Sequence, residues 1–247
     1  MHFVIITGTS SGIGEAVADE FLQPDTSLFC ISRSVHKPLM DRAAKKGCKC
    51  HYISQDLSEI ESLQSIMEEI FTNIHAKNPE RITLVNNAGT VEPVGPIETN
   101  NPSDITRAFL LNVIAPITLT SHFIKMGEDL SVPKTVVNIS SGAAQRPVWG
   151  WSTYCSTKSA IDMFTMTAAL EQADAPHPVK VIAFAPGIVD TPMQEKIRNT
   201  HPHDFKDRDT FIAYKEEGQL LSTPTVARRI REIVLNDSVK NGSVLHI

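Results

Sequence analysis

Seven short runs of β-branched and apolar residues recur along the chain, separated by stretches whose apolar positions repeat at helical spacing. The runs are FVIIT (3–7), SLFCIS (27–32), CKCHYIS (48–54), ITLVNN (82–87), TVVNIS (135–140), VKVIAFA (179–185) and SVLHI (243–247). Several are apolar on both alternations, as strands must be when helices cover both faces of their sheet. Helical patterns fill residues 13–22, 38–46, 59–77, 103–126, 152–172 and 223–235. Such alternation is the pattern of repeated βαβ units, whose parallel strands need helical crossovers. The expected fold is therefore α/β: a Rossmann-like, doubly wound, seven-stranded parallel sheet flanked by helices, in a single domain over 1–247. Ser58 followed by Glu61 reads as a capping box opening the third helix.

The rhythm breaks once, at 190–222, a charge-rich stretch where one crossover helix would have sufficed. An insertion after the sixth strand stands at the carboxyl edge of the sheet, where it is placed to act as a substrate lid. Its His201 and His203 have no further ligand cluster nearby in the sequence and read as solvated, so no metal is expected.

A net charge of −5 argues against nucleic-acid binding and against an anionic membrane surface. No targeting segment opens the chain, and no stretch approaches the roughly 18 apolar residues of a membrane span. Cys30, Cys48, Cys50 and Cys155 lack the CxxC spacing of metal or redox motifs. Reduced thiols fit a cytoplasmic protein.

TGTSSGIG (7–14) follows the first strand and opens the first helix. Gly8 permits a tight turn, Gly12 lets backbone amides approach a pyrophosphate, and Gly14 allows close helix–strand packing. The helix N-terminus adds a favourable dipole for the anion. Further along stand NNAG (86–89), NISS (138–141) and YCSTK (154–158). Tyr154 and Lys158 are four apart and share a helix face. An ammonium beside a phenol favours the phenolate, so the amine is expected to depress a pKa ordinarily near about 10.

Together these motifs resemble the short-chain dehydrogenase/reductase family along the whole chain. The WGWSTYCSTK and DTPMQ stretches look most like its sepiapterin reductase group and the (S)-benzoin-forming benzil reductases of bacilli. The resemblance implies catalysis by Ser141, Tyr154 and Lys158, with Asn112 supporting a proton relay through the lysine. Ser140 falls one short of the family spacing and is expected to face away. The implied nucleotide contacts are Gly8, Ser10, Ser11, Gly12, Ile13 and Gly14 in the turn, with Asp56 and Leu57 at the adenine. Asn87, Ala88 and Gly89 line the adenosine side. Pro186, Gly187, Ile188 and Thr191 clamp the nicotinamide end, and Tyr154 and Lys158 also touch the cofactor.

The second strand ends CISRS, without the acid that holds the ribose hydroxyls of NAD. Arg33 offers a planar fork suited to a 2′-phosphate, so NADPH/NADP+ is the expected cofactor. The other reading of Arg33 is an exposed arginine at a strand end.

For the small-molecule carbonyl substrate, Val91, Ala143, Ala144, Val148, Trp149 and Trp151 form an apolar, aromatic wall suited to an aryl ketone. Trp151 has the alternative of packing into the domain. Sepiapterin reductases anchor pterin through an acid near the C-terminus, whereas this chain ends GSVLHI with His246 near that place. The expectation is reduction of one ketone of an aromatic 1,2-diketone such as benzil to (S)-benzoin, with pterin side-chain reduction second. A non-catalytic NADP sensor is the rival from another class. By analogy with the family, a homodimer is expected.

Overall fold

A computed structural model describes residues 1–247. Seven strands form one parallel sheet: β1 (His2–Thr7), β2 (Thr26–Ser32), β3 (Lys49–Ser54), β4 (Arg81–Asn86), β5 (Lys134–Ile139), β6 (Val179–Ala185) and β7 (Val244–His246). Their order is β3-β2-β1-β4-β5-β6-β7. The chain winds outward from β1 in one direction and from β4 in the other, leaving a crevice at the carboxyl ends between them. Ligands of open α/β sheets bind at such a switch point.

Alternate side chains of each central strand enter different cores. Val4 and Ile6 face a cluster completed by α1 (Gly12–Glu20), α2 (Lys37–Lys45) and α9 (Thr223–Leu235). Phe3 and Ile5 face the opposite cluster, completed by α3 (Leu63–His75), α5 (Ala115–Met126) and α6 (Ser152–Glu171). Two-sided burial is why these strands carry apolar residues at successive positions.

Three expectations change. Ser58 does not cap a helix; its amide and hydroxyl both bond Asp56 Oδ1, at 3.0 and 2.7 Å. A 3₁₀ turn at Ile60–Ser62 then leads into α3. The neighbouring carboxylate accepts from both the Ser58 amide and hydroxyl and holds Ser58 in a local turn, where a cap would have had Ser58 Oγ accept an N–H of the helix terminus.

The stretch expected as one helix over 103–126 is divided: α4 (Pro102–Phe109), a π-helical turn (Leu110–Ile114) and α5. Ala115 N–H reaches Leu110 O, the longer bond of a π turn. A window of 18 residues within Pro102–Met126 also reaches a mean hydropathy of 1.3, long and apolar enough by composition to cross a membrane, contrary to the reading of the sequence. Here Ala115, Leu119 and Phe123 belong to the core shared with α3.

Residues 190–222 contain two further helices, α7 (Pro192–Asn199) and α8 (Arg208–Glu216). The segment leaves and rejoins the body at one place, because Val189 pairs with Leu221 and Asp190 N–H bonds Leu221 O at 2.9 Å.

Candidate active site

The turn after β1 is built around close backbone approach. Gly8 has φ +73°, which an L side chain rarely adopts. A Cβ on Gly14 would lie 2.2 Å from Gly8 O and 2.4 Å from Asn87 Nδ2. Asn87 braces the same turn, its Nδ2 donating to Thr7 O at 2.9 Å and Gly8 O at 3.3 Å. The amides of Asn87 and Ala88 both reach Thr7 Oγ1. Ile13 packs on the core below, while Ser11, the residue before α1, is exposed and makes no side-chain cap bond. Ser10, half-buried, completes the turn.

Gly12 lies across from Thr191, where an added Cβ would be 3.5 Å from Thr191 Cγ2. Thr191 Oγ1 accepts the amide of Gln194 and so caps α7, leaving its own proton free to donate. Ile188 O accepts from Leu221 N–H at 2.9 Å. Pro186 and Gly187 precede it, with Gly187 in a left-handed turn at φ +73°. The glycine turn, the Pro186–Thr191 segment facing it and the N-terminus of α1 together present donors that fit a dinucleotide's pyrophosphate.

After β3, Asp56 lies below its usual carboxylate range. The amide of Ser58 is the largest cause, the hydroxyl of Ser58 and the guanidinium groups of Arg107 and Arg33 add to it, and burial opposes it. Arg107 Nη2 is 3.3 Å from Asp56 Oδ2. Leu57 is buried beside it. Arg33 itself is exposed and its fork is unpaired, a donor set fitting a phosphate.

On the other side of the switch point, β5 ends at Ile139 and α6 begins at Ser152, bringing Ser141, Tyr154 and Lys158 together. Tyr154 is 8 % exposed and Lys158 6 %. Lys158 Nζ donates to Ile139 O at 2.7 Å and stands 5.8 Å from the centre of the Tyr154 ring. Burial lowers Lys158 to about 8, with Asp162 opposing. Burial also raises the Tyr154 phenol above its ordinary value; the Ser141 hydroxyl pulls it down without offsetting this. The expected depression by Lys158 is thus absent in the protein alone: desolvation dominates, Cys155 adds to it, and the Lys158 amine is turned toward Ile139 O. Ser140 Oγ is buried without a partner, and Ser141 is half-buried, its Oγ accepting from Ala143 N–H at 3.2 Å.

Asn112 occupies the π turn and is fully used. Its Oδ1 accepts from Thr90 N–H, and its Nδ2 donates to Thr90 O and to Thr157 Oγ1. It therefore ties the loop after β4 to the turn of α6 between Tyr154 and Lys158. A Cβ on Gly89 would stand 3.2 Å from Asn112 Oδ1, so the glycine admits this contact.

Trp151, 5 % exposed, stacks on Phe205 with ring centres 4.8 Å apart and meets Tyr154 edge-on at 5.3 Å. Phe211 closes on both Trp151 and Phe205. Val91, Ala143, Val148 and Ile197 complete this cluster. Trp149 is instead 37 % exposed under the Lys206 amine. Phe205 and Phe211 escaped the sequence reading. Their only signal was two aromatics in an otherwise charged segment.

The short chain dehydrogenase family profile matches residues 2–202. A benzil reductase ((S)-benzoin forming) of Bacillus cereus is 43% identical over 247 residues, covering 100% of this chain and 99% of its own. A sepiapterin reductase of Meriones unguiculatus is 30% identical, covering 97% and 93%. Among solved structures, a short chain dehydrogenase/reductase from Saccharomyces cerevisiae superimposes with TM-score 0.85 at 29% identity, covering 100% of this chain and 96% of that one. ElxO with NADP bound gives 0.80 at 27%, covering 100% and 96%.

Proposed function

The chain belongs to the short chain dehydrogenase family, and from that premise we propose that it is an NADPH-dependent reductase of aromatic 1,2-diketones, converting benzil to (S)-benzoin. The observation that carries the reading is a buried Tyr154 phenol beside the Ser141 hydroxyl and edge-on to Trp151, which stacks on Phe205. A flat aryl ketone matches that apolar wall, and full-length similarity to a benzil reductase supports the same substrate class.

When bound, the nicotinamide supplies the hydride. Tyr154 Oη delivers a proton to the carbonyl oxygen, so one C=O becomes CH–OH and the second carbonyl is left intact. Ser141 Oγ donates to the same oxygen as negative charge grows on it. Lys158, anchored on Ile139 O, holds a positive charge below about pH 8 close to the phenol. Asn112 fixes the turn between them. Gly8, Ser10, Ser11, Gly12, Ile13 and Gly14 cradle the pyrophosphate, with Arg33 on the ribose 2′-phosphate. Asp56, Leu57, Asn87, Ala88 and Gly89 border the adenosine, and Pro186, Gly187, Ile188 and Thr191 border the nicotinamide.

Residues 190–222 serve as the lid, and the Lys215–Asp190 ion pair beside the Val189–Leu221 bridge supports a fixed base for it. Exposed Met163, Met166 and Leu170 on α6 support pairing of two copies. Four free thiols support a cytoplasmic location.

The test is NADPH consumption with benzil, 1-phenyl-1,2-propanedione and sepiapterin in parallel, with chiral analysis of the product. Preferential turnover of the diketones to the (S)-alcohol is expected. Faster reaction with sepiapterin transfers the protein to pterin reduction; saturable NADPH binding without turnover makes it a sensor.

A further inference from the structure

The last residue of β2 and the two that follow it, which would meet the adenosine phosphate, are held in register by the end of β3. Gln55 N–H bonds Ser32 O at 3.0 Å, Ser54 Oγ bonds Arg33 O at 3.0 Å, and Tyr52 Oη bonds Ser34 O at 2.9 Å. Tyr52 does more than Ser54 and Gln55. Its hydroxyl also meets Ser32 Oγ and accepts from Thr9 Oγ1 of the glycine turn at 3.2 Å. The single proton of Ser32 Oγ has both Tyr52 Oη and, at 2.9 Å, Ser34 O within reach, and with Tyr52 donating to Ser34 O it is Ser32 that donates to the phenol oxygen. One half-buried phenol therefore joins the turn after β1 to both ends of the Ser32–Arg33–Ser34 segment.

We infer that Tyr52 is a positioning residue for nucleotide selectivity: it contacts no ligand but presents Arg33 to a ribose 2′-phosphate by fixing Ser32 and Ser34. The inference rests on the reading of Arg33 as the phosphate ligand. The glycine turn has independent anchors, because Asn87 and the Gly8 N–H to Ile31 O bond at 2.7 Å hold it without Tyr52. Ser34 O loses the Tyr52 donor when the hydroxyl is removed, so the loss falls on the phosphate side. Affinity for a dinucleotide lacking that phosphate is spared.

The experiment is Tyr52→Phe, which keeps the ring, with Kd for NADPH and NADH measured by titration and thermal stability measured without nucleotide. Kd for NADPH should rise about five- to twenty-fold, the effect of one or two net hydrogen bonds, and Kd for NADH less than about two-fold. Ser54→Ala, at an exposed position, should move the ratio the same way by about two-fold and decides the matter if Tyr52→Phe does not fold. A wild type preferring NADPH with an unmoved ratio in these variants overturns the role of Tyr52 and leaves the cofactor assignment standing. A parallel rise for both nucleotides with lowered stability overturns it as well, since that is a merely structural effect. A wild type indifferent to the phosphate overturns both readings.

Discussion

Along the carboxyl edge of the sheet, the loops after β1, β2 and β3 are laced together by hydrogen bonds. The stretch from β5 into α6 buries Ser140 Oγ, Trp151 Nε1, Thr153 Oγ1 and Asp162 Oδ1 with no partner, where those three loops bury only His36 Nδ1 so. The first region joins Thr7, Gly8 and Asn87, and separately Thr9, Ser32, Ser34 and Tyr52. The second carries a buried phenol and a buried amine, each held away from its ordinary pKa by desolvation. A buried polar atom without a partner costs about 1–3 kcal/mol. The half built on the glycine turn is thus organised for shape, and the α6 half keeps titratable groups dry at a cost in stability.

The comparison breaks most decisively at Gly14. In Gly14→Ala the new methyl would lie 2.2 Å from a backbone carbonyl that cannot give way cheaply. Nucleotide affinity should fall by about 100-fold or more, with destabilisation of about 1–3 kcal/mol. Unchanged Kd and melting temperature would show that the turn is not tightly packed.

Phe205→Ala probes the other half through the 190–222 segment. Phe205 is fully buried against Trp151, so truncation should cost about 3–5 kcal/mol of unfolding free energy in denaturant titrations. Turnover with benzil should fall while NADPH affinity stays within about two-fold. If nucleotide affinity fell equally, the two halves would not be separable.

A smaller effect is expected from pH. Lys158, lowered to about 8, is cationic below that value and neutral above it. Tyr154, raised, keeps its proton through the same window. The rate of ketone reduction at saturating substrate should therefore decline as pH rises through 8, by about three- to ten-fold between 7 and 9. A rate rising over that interval would mean that the charge on Lys158 is not used.

The strands were legible because burial on both faces demands apolar residues at successive positions, which Leu28–Ile31 of β2 and Val181–Ala185 of β6 display without a break. The glycine turn was legible because φ and close approach at Gly8 and Gly14 tolerate no other residue. What stayed hidden depends on three-dimensional neighbours. Ser58 had an acceptor two residues back that no capping rule anticipates. Phe205 and Phe211 meet Trp151 across more than fifty residues of chain. The sign of the shift on Tyr154 was misread because spacing places Lys158 nearby but says nothing of how dry the phenol is, or that the amine bonds Ile139 O.

The claim on which the rest turns is that Tyr154 supplies the proton. Tyr154→Phe removes one hydroxyl from an otherwise preserved ring, and its kcat for benzil reduction can be compared with the wild type beside a direct NADPH titration. The account requires a fall in kcat of about 10²- to 10⁴-fold with NADPH affinity nearly unchanged. Turnover close to that of the wild type would assign the proton to another group and contradict it.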